Sequence, residues 1–369
     1  MRPPSRTGRP SYVALSESGE LGRRAQRAAG LLAACELCPR RCGVDRTTGA
    51  GGVCGIGARA RVASYGPHHG EESVLRGRAG SGTVFFGGCN LRCRFCQNSE
   101  ISHRPAGEEL APAQLAAVFL DVQDMGCHNL NLVTPSHVVA QILAALAIAV
   151  PQGLRIPIVY NTGGYDAVET LALLDGVVDI YMPDVKLLDA EPAERYLTAR
   201  DYPEVVRRAM TEMQRQVGDL VVGADGLAVR GLLVRHLVMP GLVAESEQVF
   251  AFLAGLSPDT FVNVMDQYRP CAEASLATAD VDRGQRDGRQ RLAEAAPRRD
   301  GGRVHREDAA PARDAGNTAA RNDQTDVVSD GRDRVADLRS IARRITRAEF
   351  GAALDAARAA GLRRAARSP

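Results

Sequence analysis

The chain has 369 residues, 45% apolar and 24% charged, a soluble globular profile long enough for one large core with additions. A formal net charge of +2 excludes a protein built around a strong field, so neither membrane binding nor specific nucleic-acid binding is indicated. No apolar run reaches bilayer-spanning length, and "MRPPSRTGRPSYVALSESGEL" has no hydrophobic stretch behind its basic residues, which points to a cytoplasmic protein. Nine cysteines in that compartment imply metal or redox chemistry rather than disulfides, and seven of them fall between Cys35 and Cys96.

In chain order, residues 1–30 read as a polar N-terminal arm running into a short Ala/Leu helix, and residues 31–80 as a Gly-rich cysteine module. From residue 81 to 270 short apolar segments alternate with Ala-rich amphipathic ones. Strands are expected at "GTVFF" (82–86), "NLNLVT" (129–134), "PIVYN" (157–161), "VVDIYM" (177–182), "LLVRHLVM" (232–239) and "TFVNVM" (260–265). Helices are expected between them, as in "PAQLAAVFLDVQDM" and "ESEQVFAFLAGL". Apolar strands separated by helices imply a parallel sheet covered on both faces, so the fold class is α/β. Six such units fit a partial (β/α)6 barrel of the TIM type, with its chemistry at the C-terminal strand ends.

Residues 271–337 break the pattern. They are dense in Arg, Asp, Ala and Gly and poor in aliphatic residues, the composition of a disordered insertion or of a frame artefact in a GC-rich gene. Order resumes over 338–369, where Thr346 and Glu349 have capping-box spacing ahead of an amphipathic helix that would pack on the barrel.

"GGCNLRCRFCQNSE" sets Cys89, Cys93 and Cys96 in a C-x3-C-x2-C loop just after the first barrel strand. Three thiolates on one loop can grip three irons of a cubane cluster and leave the fourth open, because no fourth cysteine follows at suitable spacing. The bland alternative is a zinc site completed by a distant ligand. Upstream, Cys35, Cys38, Cys42 and Cys54 are spaced C-x2-C-x3-C-x11-C, which suits zinc or a second iron–sulfur cluster, as a structural pin or an electron relay. Cys127 and Cys271 have no partner pattern and read as bystanders.

C-x3-C-x-aromatic-C, with Phe95 before the last cysteine, resembles the motif of radical S-adenosylmethionine enzymes. The wider chain is similar to one branch, the pyruvate formate-lyase activating enzyme-like proteins. "CELCPRRCGVDR", "PHHGEE", "GSGTVFFGGCNLRCRFCQN", "NLNLVTPSH", "PIVYNTGGY", "DIYMPDVKLLD", "RQVG", "RGLLVRHLVMPG", "NVMDQYRP" and "RRITRAEF" carry the likeness. The resemblance implies an oxidoreductase with a [4Fe-4S] cluster on Cys89, Cys93 and Cys96. It implies S-adenosylmethionine on the open iron, cleaved by one electron to a 5′-deoxyadenosyl radical that abstracts hydrogen. Flavodoxin or ferredoxin would be the electron donor, and a glycyl radical enzyme the partner substrate; a small molecule or a modified macromolecule is the alternative target. A metal-binding scaffold without turnover is the rival from another class.

The same resemblance assigns cofactor contacts at the strand ends. Activating enzymes carry Gly-Gly-Glu after the second strand, whereas this chain has "VTPSH", offering Thr134 and Ser136. His137 would contact substrate or cap a helix. "YNTGGY" puts Asn161 and Thr162 at the rim, with glycines that permit close ligand approach. Arg235 and His236 face opposite sides of one strand, and Arg235 is the cofactor-facing one. Gln267, Tyr268 and Arg269 would line the substrate side or close the barrel. His69, Glu71 and Glu72 of "PHHGEE" read as a solvated loop. Lys186 is the only lysine, among 46 basic residues. In "DVKLLD" it is similar to the lysine that meets the cofactor's carboxylate, with Asp184 orienting it or holding a monovalent cation.

Overall fold

A computed structural model describes residues 10–104, 106–276 and 338–366. The chain opens with helices α1 (Ser11–Glu17) and α2 (Glu20–Gly30). Then come β1 (Ala60–His68), the one-turn α3 (Ser73–Arg76), β2 (Ser81–Phe86), the one-turn α4 (Ser99–Ser102) and β3 (Glu108–Leu110). Alternation follows through α5 (Pro112–Asp124), β4 (Leu130–Val133), α6 (Val139–Ala149), β5 (Ile158–Thr162), α7 (Val168–Leu174) and β6 (Ile180–Pro183). After α8 (Ala190–Leu197) and α9 (Tyr202–Val217) lie β7 (Val221–Val222), β8 (Ala228–Leu237), α10 (Val243–Leu256) and β9 (Phe261–Met265). The described C-terminus holds α11 (Arg347–Ala359) and β10 (Arg364–Ala366).

β2, β4, β5, β6, β8 and β9 lie side by side in chain order, every pair parallel. These are the six expected strands, and they form the wall of a partial TIM-type barrel. β4, β5 and β6 are buried along their whole length, so they are mainly apolar on both faces, and their polar residues Asn131, Asn161 and Thr162 are buried too. β1 and β3 extend the sheet antiparallel beyond β2, and β10 adds a further parallel strand beside β9. The "RAA" of β10 has little strand propensity; Arg364 helps hold it, donating to Leu220 O at 2.8 Å and lying over the Phe261 ring of β9.

Two boundaries move by three residues or more. The strand expected over 177–182 begins at Ile180, because Val177 and Val178 are buried in the turn leaving α7, with their N–H groups on Leu174 O. β8 starts earlier than expected, at Ala228, because its first residues pair in a hairpin with β7.

The N-terminal arm is a docked layer from Ser11 on. Tyr12, Val13, Leu21 and Ala28 are fully buried, and the Tyr12 hydroxyl donates to Ile156 O at 2.8 Å. At the other end the capping box forms: Glu349 N donates to Thr346 Oγ1 at 3.1 Å, and Thr346 N to Glu349 Oε2 at 2.8 Å. Glu349 Oε1 also accepts from Gly241 N at 2.8 Å, tying the α11 start to the loop after β8. The stretch expected to be disordered lies, from residue 277 to 337, outside the described residues. Among the described residues no helix is long and apolar enough to cross a membrane.

Candidate functional site

The C-terminal end of β2 feeds directly into the cysteine loop. Gly88, at φ +76°, makes the turn; a Cβ there would lie 2.4 Å from Cys54 O, so only glycine fits. Arg92 also has positive φ, +59°, a second turn within the loop, and Cys93 lies close enough to Cys89 and Cys96 for the three to interact electrostatically. The loop is clamped from several directions. Arg94 N donates to Tyr196 O at 2.9 Å, and the His103 ring meets Cys93 O at 3.0 Å. Phe95 is buried against Tyr268, ring centres 6.0 Å apart, and the Tyr268 hydroxyl donates to Ile341 O at 2.7 Å. Tyr268 is therefore a support of the loop. Gln267 meets the same loop through its backbone, accepting from Gln97 Nε2 at 3.4 Å.

The donor chemistry suits an iron–sulfur cluster. Leu91 N reaches Cys89 Sγ at 3.3 Å, and Cys96 Sγ is 3.2 Å from Ser102 Oγ, contacts of the kind that stabilise thiolate sulfur. Burial pushes the Cys89 and Cys93 thiols up, while the Lys186 charge pulls both down. Iron would deprotonate them outright.

Facing the loop are the ends of β5, β6 and β8. Lys186 Nζ sits 2.6 Å from Asp184 Oδ2. Arg235 reaches Asp184 Oδ1 at 3.1 Å through Nε and Asn161 Oδ1 at 2.7 Å through NH2. Burial opposes the ammonium of Lys186, but the Asp184 carboxylate outweighs it and raises its pKa. Burial likewise opposes the Asp184 charge, and Lys186 and Arg235 together hold its carboxyl below the usual range. Tyr202 steadies the turn: its hydroxyl accepts from Lys186 N at 3.1 Å and lies 3.0 Å from the carbonyls of both Gly163 and Asp184. A Cβ on Gly163 would touch both Leu91 of the cysteine loop and Lys186 Cε, at 3.4 and 3.8 Å, so these two elements meet across that glycine.

Other expected residues sit elsewhere. Thr162 and Ser136 are buried and turned away from the charged group: their hydroxyls lie 2.9 Å apart, and Thr162 donates to Asp166 Oδ2 at 2.6 Å. The Tyr160 hydroxyl donates to the other Asp166 oxygen at 2.9 Å, so the set is closed on itself. Thr134, half-buried with φ +60°, ends β4 at the rim, its N–H on Asn161 O at 2.8 Å. His137 is buried and neutral; burial takes its pKa down to about 4, and Nε2 bonds to Gly87 O at 2.9 Å. It braces the β2 end. His236 faces the outer layer, bridging Val185 O at 2.7 Å and Ser246 Oγ at 2.8 Å.

"PHHGEE" corrects the expectation of a solvated loop. His69 is exposed, but Glu72 is buried and accepts from Asn263 Nδ2 at 2.8 Å. The Glu71 side chain is 7% exposed, its Oε2 3.5 Å from Arg235 NH1. Burial raises the Glu71 pKa to about 7, against the pull of Arg235 and with the push of Glu72. The two glutamates form an acidic floor beneath Arg235. Arg235 and Asn263 are paired neighbours on β8 and β9, and two polar residues inside a barrel need partners; that requirement was the available hint. Tyr202 and Asp166, also missed, have no motif to mark them.

The sequence profile of the Radical SAM superfamily matches residues 83–251, from β2 into α10. An uncharacterized protein of Methanocaldococcus jannaschii is 32% identical over 246 residues, a match covering 64% of this chain and 66% of that protein.

Proposed function

We propose, from the premise that residues 83–251 form a Radical SAM superfamily domain, that the chain is a radical S-adenosylmethionine enzyme. Cys89, Cys93 and Cys96 would hold a [4Fe-4S] cluster. When bound, cluster and cofactor supply one-electron cleavage of the sulfonium to a 5′-deoxyadenosyl radical, which abstracts hydrogen from the substrate. The observation that carries this reading is the placement of Lys186, the only lysine, between Asp184 and the thiols of the cysteine loop.

The chain's own residues bind, orient and enclose. Lys186 and Arg235 present cations 14% and 19% exposed, suited to one carboxylate; Asp184 sits between them and fixes their separation. A compact ammonium fits beside crowded sulfur, where a planar guanidinium would demand different geometry. Asn161 holds the second Arg235 nitrogen in place. Thr134 at the rim is a direct contact, whereas Ser136 and Thr162 are spent on each other and on Asp166 and take no part in holding the cofactor. Glu71 and Glu72 hold Arg235 and Asn263, the paired residues of β8 and β9.

The resemblance extends the proposal to a glycine of a partner protein as hydrogen donor, and to flavodoxin or ferredoxin as reductant. "VTPSH" favours a second reading, a small molecule or another macromolecule, because it replaces the Gly-Gly-Glu of activating enzymes with a turn whose serine is already committed to Thr162. The test of the common core is direct. After anaerobic iron and sulfide loading, S-adenosylmethionine and dithionite should yield 5′-deoxyadenosine; a yield no greater than that of the Cys89/Cys93/Cys96→Ala variant would sink the proposal.

A further inference from the structure

The proposed chemistry uses three of the seven clustered cysteines. The other four, Cys35, Cys38, Cys42 and Cys54, line one pocket with Arg40, Arg46 and His137. We infer that these four thiols bind a second iron–sulfur cluster, seated against the Cys89–Cys96 loop and placed to pass it one electron. The relay role rests on the radical reading above; the metal site itself does not.

The pocket is built for an anionic metal–thiolate group. All four cysteines are free thiols, Cys35 and Cys38 buried and Cys42 and Cys54 half-buried toward the outside. Arg46 is 1% exposed, and its donors meet Gly57 O at 3.0 Å, His137 O at 2.8 Å and Cys35 Sγ at 3.7 Å. A cation that deep needs a counter-charge, which neutral thiols do not supply and metal-bound thiolates do. His137 also lines this pocket, its Nε2 donating to Gly87 O and its Nδ1 buried without a partner.

Spacing favours a cluster over a single ion. Zinc needs its sulfurs about 2.3 Å from one point. Among the described residues no three Cys, His, Asp or Glu side chains converge that way. A cluster gives each thiolate its own iron, so a ring of separated sulfurs is what it requires.

Contact with the first loop is immediate. Arg40 donates to Asn90 O at 2.8 Å and Leu91 O at 3.3 Å, and the Asn90 side chain lies on the Cys38 thiol. Cys54 O packs on Gly88, the residue before Cys89. Electrons balance simply. A small low-potential iron–sulfur or flavin protein loses one electron at the outer face, and the second cluster takes it up. On passing it inward, that cluster is reoxidised.

Three proteins test this after anaerobic loading: the full chain, Cys35→Ala/Cys38→Ala, and Cys89→Ala/Cys93→Ala/Cys96→Ala. The expectation is about eight irons for the full chain and about four for each variant. The triple variant leaves the N-terminal module untouched, so its iron reads that site even if the double variant fails to fold. Iron lost entirely from the triple variant, or replaced there by zinc, overturns the inference and leaves the radical reading standing. Four irons in the triple variant, with a full chain that binds no more than four, sinks the radical reading and keeps the second site. For the relay, the reduced full chain should give an electron paramagnetic resonance spectrum broadened by two neighbouring spins. A spectrum that is the plain sum of the two variants' spectra overturns it.

Discussion

Asn161 and Thr162 are consecutive on β5, yet they belong to different chemistries. Asn161 points to Arg235, Asp184 and Lys186, a charged group that stays partly open toward the cysteine loop. Thr162 points to Ser136, Asp166 and Tyr160, where nearly every polar atom is spent on a neighbour. The second cluster is buried and the first half-buried, and both perturb the groups within them. What separates them is saturation: a closed network holds a wall, and an incompletely satisfied charged one is ready for a ligand.

The largest effect should come from the loop that the open cluster faces. Cys93→Ala is expected to lose the Cys89–Cys96 cluster, about four irons, and all 5′-deoxyadenosine formation, read by iron assay and chromatography. Next is the closed network. Asp166→Ala strands the Thr162 and Tyr160 hydroxyls and should cost about 3 kcal/mol in a denaturant titration, with S-adenosylmethionine affinity unchanged. If affinity fell instead, the network would be part of the binding site and the contrast would be broken.

Lys186→Arg should keep the iron and the fold but raise the Kd for S-adenosylmethionine by roughly tenfold, about 1.4 kcal/mol. The smallest effect concerns the floor. Glu71 has its pKa raised in the fold from 4.5 to about 7, so the folded chain holds its proton more tightly than the unfolded one. That stabilisation is complete below pH 4.5 and is lost as pH rises to about 7. Glu71→Gln should flatten the fall in thermal stability across this window. It should not remove it, because burial raises Asp179 to about 7 as well.

The barrel strands and the cysteine loop could be read from the chain because their constraints are local. Strands buried on both faces must be mainly apolar, and thiols on one loop must be closely spaced. Lys186 stood out only because arginine fills every other basic position. The orientation of Thr162 was not readable, because alternation says that two neighbours diverge but not which one meets the ligand. Glu71 and Glu72 were hidden for another reason: a polar hexapeptide gives no hint that Arg235 and Asn263, more than 160 residues away, will draw it inside. Long-range satisfaction of buried charge leaves no periodicity behind.

Equilibrium binding of S-adenosylmethionine to the iron-loaded protein tests the contrast most directly, comparing the full chain, Lys186→Arg and Asp166→Asn. The account predicts that Lys186→Arg binds about tenfold more weakly, while Asp166→Asn matches the parent. Equal affinity in Lys186→Arg, or a comparable loss in Asp166→Asn, would contradict it.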